Sequence, residues 1–117
     1  MSINAKDRIF LDKILEEISV IEKIVFDSSE DTFLNNKILQ RATVMALLNI
    51  GELVAHLSQG LRSSHGCIPW KKIIGLRNLA AHGYFILDMS DIWHTIGYDI
   101  PELKNNISQI LTEQEDL

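Results

Sequence analysis

The 117-residue sequence predicts an all-α fold, an up-and-down bundle of four or five helices. Three observations carry that reading. Apolar residues recur at alternating steps of three and four, the period of an amphipathic helix. Two prolines and six glycines are few interruptions, and runs of β-branched residues are short. Polar clusters rich in Asp, Ser and Asn, the residues that start helices, fall between the apolar stretches.

The first helix is expected from a cap at Asn4 or Ser2 to about Asp27. Leu11, Ile14, Ile18, Ile21 and Val25 form its apolar stripe, widened by Phe10, Val20 and Ile24. Lys6, Asp7, Lys13, Glu16, Glu17 and Lys23 populate the remainder, a solvated face. After the polar turn at 27–31, a second helix is expected from about Asp31 to Ser58, with Leu39, Ala42, Ala46, Ile50, Leu53 and Leu57 as its main apolar row. Gly51 inside that pattern costs about 1 kcal/mol against alanine, so it marks a close approach of a neighbouring element. A second row, Leu34, Ile38, Arg41, Met45, Leu48, Glu52 and Ala55, carries two charged residues. It reads either as an exposed edge or as the border of a polar site.

Residues 59–67 hold two glycines and two serines, with Ser58 just ahead of them, and read as a loop. A third helix is expected from about Pro69 to His82, because proline is tolerated in a first turn and Gly83 suits a left-handed cap. The apolar run 84–87 follows. Asp88 or Ser90 can cap a short fourth helix anchored by Ile92, Trp93 and Ile96. Pro101 opens the last helix, with Leu103, Ile107, Ile110 and Leu111 inward and a frayed acidic tail over 113–117.

Composition bounds the function. Apolar residues make up 46% and charged residues 23%, the balance of a globular protein, and no composition shift divides residues 1–117, so one domain is expected. A net charge of −5 argues against a generally basic nucleic-acid coat, though not against a local basic site. A single cysteine, Cys67, permits no intramolecular disulfide and fits a reducing compartment. The polar N-terminus has no signal-like apolar core, and the apolar region 44–57 is shorter than the roughly 20 residues of a membrane span. A soluble cytoplasmic protein is expected.

The chemistry concentrates in one stretch. Arg77, Asn78, His82 and Tyr84 bring a fixed cation, an amide, an imidazole and a phenol together within eight residues. These groups suit RNA cleavage without a metal or other cofactor. Histidine moves protons near neutral pH, arginine grips a phosphate in two places, and tyrosine donates a hydrogen bond or stacks on a base. Lys71, Lys72 and Arg62 offer a local positive rim. On a continuous α-helix Asn78 and His82 are neighbours, whereas Arg77 and His82 point about 140° apart. Two copies of the segment facing each other would converge them better, which predicts a composite site in a homodimer. Other readings stand beside this one. His82-Gly83 is also an ordinary helix end, and Arg77 can simply pair with Glu52 or Glu102. Glu52 with His56, or Asp91 with His94, supplies two potential metal ligands, too few for a specific signal.

Arg77-Asn78-Leu79-Ala80-Ala81-His82-Gly83-Tyr84 resembles the Arg, four residues, His, one residue, Tyr motif of the HEPN superfamily. More narrowly, the chain resembles the HepT-like toxins, the RNase half of HepT/MNT toxin–antitoxin systems. Residues 49–53, 70–78, 91–93 and 100–103 resemble the segments around that motif, and the likeness covers roughly residues 4–113. The resemblance implies a dimeric helical bundle with both motif copies lining one cleft and metal-independent endoribonuclease chemistry. It implies Arg77 and His82 as the catalytic pair, Asn78 as a polar helper, and Tyr84 as the position to which a nucleotidyltransferase antitoxin adds AMP. Nucleotide on Tyr84 would place charge and bulk against Arg77 and His82 and block an RNA phosphate. A non-catalytic nucleotide- or RNA-binding module is the alternative.

Overall fold

The computed structural model describes residues 3–79 and 86–115, the side chains at 114 and 115 excepted. Every regular element among them is helical. Helix α1 spans Ala5–Phe26, α2 Glu30–Leu34, α3 Lys37–Ala55, α4 Gln59–Ser64 and α5 Trp70–Ile74; a 3-10 segment, Gly75–Leu79, follows, and after it come α6 (Met89–His94), a π-turn (Thr95–Asp99) and α7 (Ile100–Glu115).

Helix α1 matches its sequence pattern closely. The Asn4 side chain accepts a hydrogen bond from the Asp7 N–H at 2.7 Å, and Leu11, Ile14, Ile18, Ile21 and Ile24 are buried. They pack on Leu47, Ile50 and Val54 of α3 and on Leu103, Ile107 and Ile110 of α7, in one continuous core. Helix α3 is central to this packing, meeting α1, α5 and the 3-10 segment. Its 19 residues, with a mean hydropathy of 1.3, are long and apolar enough to cross a membrane. The same property suits a helix flanked by neighbours on several sides.

The expected helix over 31–58 is in fact two. Ser29 caps α2 through Thr32 N–H at 3.1 Å, and the chain breaks at Asn35 and Asn36. Asn35 Nδ2 donates to the Asp31 carbonyl at 2.8 Å, and Asn36 Oδ1 accepts from the Ile38 and Leu39 N–H groups at 3.0 and 3.1 Å. Such short amide side chains offer the backbone a local alternative to the helical bond. The inward row of α3 is also rotated from the expected one. Gln40, Thr43, Leu47, Ile50 and Val54 face the core and Ala42 faces outward. Gln40 is buried because its Nε2 donates to the Phe33 carbonyl at 2.9 Å across the α2–α3 break.

The expected loop over 59–67 contains helix α4. Its cap is Ser58, whose Oγ accepts from Leu61 N–H at 3.2 Å. Ser58 is itself held from α1, where its N–H and hydroxyl donate to the two oxygens of Asp7 at 2.8 and 2.6 Å. Asp7, expected on the solvated face, is only 2% exposed.

The fourth and last helices are not separate. Asp88 caps α6 through Ser90 N–H at 2.9 Å, but α6 then runs through the π-turn into α7 without a break. The Ile100 N–H donates to the Thr95 carbonyl, five residues back. Pro101 has no N–H and crowds the preceding turn, and a widened turn just before it accommodates the ring without ending the helix.

Candidate active site

The segment bearing Arg77 is seated against α3 by Gly51. A Cβ built at Gly51 would lie 2.9 Å from the Arg77 backbone nitrogen, 3.0 Å from the Ile73 carbonyl oxygen and 3.1 Å from Arg77 Cγ. Two of those atoms are backbone and cannot swing away, so glycine is what permits the approach. The close contact read from the sequence at Gly51 is therefore borne out, and the element that uses it is the one carrying the arginine.

The helix expected over Pro69–His82 differs in two ways. Pro69 occupies the cap position and α5 is only one short turn and a half, Trp70–Ile74. The chain then tightens to 3-10 geometry over Gly75–Leu79, where successive side chains are about 120° apart. The angular relation of Arg77 to later residues, worked out for a continuous α-helix, does not hold across this segment. His82, Gly83 and Tyr84 lie outside the described residues. Arg77 and Asn78 are both exposed.

Of the two carboxylates that the sequence offers Arg77, Glu52 is the one it meets. Arg77 Nη1 stands 3.6 Å from Glu52 Oε2, with the side chains 46% and 52% exposed. Glu102 instead lines a small cavity with Lys72, Leu76, Asp99 and Asn106. Glu52 has a second neighbour. His56 Nδ1 is 3.8 Å from its Oε1 and 2.8 Å from its backbone oxygen, while the His56 ring stacks on Phe10 at 5.3 Å. Beyond Glu52 an open groove between α1 and α3 is lined by Lys13, Glu16, Glu17, Asn49 and Leu53, and Asn49 Nδ2 donates to Glu17 Oε1 at 3.4 Å. The surroundings of Arg77 thus carry both signs of charge, with the carboxylates in excess.

The expected basic rim is thinner than the sequence suggests. Lys71 is exposed, Lys72 pairs with Asp99 at 3.3 Å, and Arg62 is half-buried with its Nε out of solvent. Trp70 fixes this corner, its Nε1 donating to the carbonyls of Arg62 and His65, each at 3.1 Å. Among the described residues no group of three or more His, Cys, Asp or Glu side chains is placed to hold a metal ion. His94 stacks on Tyr98 with ring centroids 4.4 Å apart, and Cys67 is exposed without a disulfide partner.

The profile of the HepT-like family, described as ribonuclease HepT-like, matches residues 14–110. A Methanocaldococcus jannaschii protein named "Gamma-glutamylcyclotransferase and putative RNase" is 36% identical over 106 residues, which is 91% of this chain and 48% of that longer protein. A protein of Caldanaerobacter subterraneus subsp. tengcongensis named "Putative RNase" is 38% identical over 109 residues, covering 92% of this chain and 96% of its own length. A "Probable ribonuclease HepT" of Thermococcus cleftensis is 32% identical over 101 residues, covering 86% of this chain and 92% of its own length. No solved structure matches. The helical fold and the family profile together define a protein of the HEPN class. Within that class the chain belongs to the HepT-like ribonuclease family.

Proposed function

We propose that this chain is a metal-independent endoribonuclease and the toxin of a type II toxin–antitoxin system, acting on cytoplasmic RNA. Arg77 and His82 are its catalytic pair, supported by Asn78. The observation that carries the reading is the placement of Arg77: exposed, on a tight segment seated by Gly51, in a chain of the HepT-like family. The neutral or protonated imidazole of His82 moves protons in the reaction. The 2′-oxygen attacks the adjacent phosphorus and loses its proton, the bond to the 5′-oxygen breaks, and that oxygen takes up a proton. Arg77 stabilises the added charge on the phosphate oxygens. The products are a 2′,3′-cyclic phosphate and a 5′-hydroxyl.

A second copy completes the site in this reading. One face of α3 exposes Ile38, Ala42 and Met45 and ends at Glu52 beside Arg77. Ile38 and Met45 are 80% and 58% exposed, and Val20 on the adjoining α1 is 45% exposed. A face that is apolar but for Arg41 and leads to the arginine suits a homodimer that brings two copies of the motif to one cleft. A nucleotidyltransferase antitoxin neutralises the toxin by adding AMP to Tyr84, which sets phosphate charge against the cationic site.

Cleavage of RNA in the presence of a chelator tests the proposal. Arg77→Ala and His82→Ala should each abolish cleavage and growth arrest while the helical spectrum and the dimer persist, and the wild-type product should carry a 2′,3′-cyclic phosphate. RNA binding without cleavage, lost in Arg77→Ala, would identify a binding module instead. Wild-type cleavage by either variant would remove the catalytic pair.

A further inference from the structure

We infer that Glu52 is a positioning residue for the Arg77 guanidinium, so that Gly51 and Glu52, adjacent on α3, set the place and the orientation of the cationic group. The inference rests on the reading of Arg77 as the phosphate-binding cation. Gly51 fixes the backbone, since a Cβ there would stand 2.9 Å from the Arg77 nitrogen and 3.0 Å from the Ile73 carbonyl oxygen, both backbone atoms. Glu52 then engages one terminal nitrogen, Nη1, at 3.6 Å. A guanidinium is a rigid planar fork, so a carboxylate drawing one arm biases the orientation of the whole group, while Nη2 and Nε keep their donors for two phosphate oxygens.

The surroundings distinguish this from a generic surface ion pair. His56 stands on the other side of Glu52, its Nδ1 3.8 Å from Oε1 and 2.8 Å from the Glu52 backbone oxygen, with its ring stacked on Phe10. Glu17, another carboxylate of the groove, accepts a hydrogen bond from Asn49. The Glu52–Arg77 pair is half exposed, and such pairs contribute little to folding, so the fold has small need of it. Placing a carboxylate beside a phosphate-binding cation also opposes the approach of a polyanion. A residue that weakens ground-state attraction yet orders the cation acts on the rate rather than on binding.

That gives a diagnostic split. Cleavage of one labelled RNA oligonucleotide that the wild-type protein cuts is measured in chelator, with maximal rate and half-saturating RNA concentration read separately. Glu52→Gln, isosteric and uncharged, is expected to lower the maximal rate by about 10- to 100-fold while half-saturation stays the same or moves to lower RNA. Glu52→Asp should recover part of the rate. Glu16→Gln removes the same charge from the same groove and should leave the maximal rate unchanged. Wild-type or faster cleavage by Glu52→Gln overturns the inference. So does an equal loss in Glu16→Gln, which would indicate a diffuse field effect, or a rise in half-saturating RNA, which would make Glu52 a binding group. The two levels separate cleanly: if Arg77→Ala cleaves normally the reading of the site fails, whereas an inactive Arg77→Ala beside an unaffected Glu52→Gln removes the positioning role alone.

Discussion

Two carboxylates on the outer turns of this bundle do opposite work. Asp7 is 2% exposed and accepts two short hydrogen bonds from Ser58, at 2.8 and 2.6 Å, which tie the start of α1 to the cap of α4. Glu52 is 52% exposed and meets Arg77 at 3.6 Å, a charge contact rather than a hydrogen bond. The buried carboxylate has its acceptor sites matched to donors that would otherwise be stranded, the condition under which a buried charge stabilises. The exposed pair is loose, screened by solvent, and leaves most of the guanidinium donors available. Tight satisfaction marks the part of the molecule that holds the fold, and incomplete satisfaction leaves the Arg77 donors open, as the proposed site requires.

Mutations can break that contrast in order of effect on stability. Asp7→Ala strands the Ser58 N–H and frees the α4 cap, and should destabilise by about 2–3 kcal/mol, seen as a lower denaturant midpoint with an unchanged slope. Gly51→Ala gains about 1 kcal/mol of helix propensity. It loses about 1–3 kcal/mol to overpacking against the Arg77 and Ile73 backbone, so the net change should be modestly destabilising. Its RNA cleavage should fall much further than its stability, because the displaced segment carries Arg77. Asn36→Ala removes the α3 cap and should cost about 1 kcal/mol, with cleavage retained. Glu52→Gln should change stability by less than about 0.5 kcal/mol, which thermal unfolding can verify. On the face proposed to join two copies, Met45→Glu should leave the chain folded and shift the sedimentation profile from the proposed dimer to monomer.

Much of this arrangement was legible in the residues. The apolar stripe of α1 located that helix to within a residue or two, because its period is uninterrupted and Asn4 starts it. The exposed second row of α3 was also readable, since Arg41 and Glu52 break its apolar character. The helix break at Asn35-Asn36 escaped detection because the apolar spacing continues past it, although both residues favour caps and turns over helix interiors. Gln40 and Thr43 concealed the true inward row of α3, since burial of a polar side chain depends on a tertiary partner. Helix α4 was hidden by Gly60 and its serines, one of which caps it. At the site, Arg77, Asn78 and the tight contact at Gly51 could be singled out. The choice of Glu52 over Glu102 could not, because it depends on which neighbour α5 and the 3-10 segment pack against. The 3-10 tightening itself follows from the local hydrogen-bond pattern, to which apolar periodicity is blind.

The central claim is that Arg77, seated by α3, is the working cation of an RNA-cleaving site. Single-turnover cleavage of labelled RNA by Arg77→Ala, in chelator and at saturating protein, measures it most directly. The rate should fall by at least about a hundredfold with the melting temperature unchanged. Cleavage at the wild-type rate would contradict the claim.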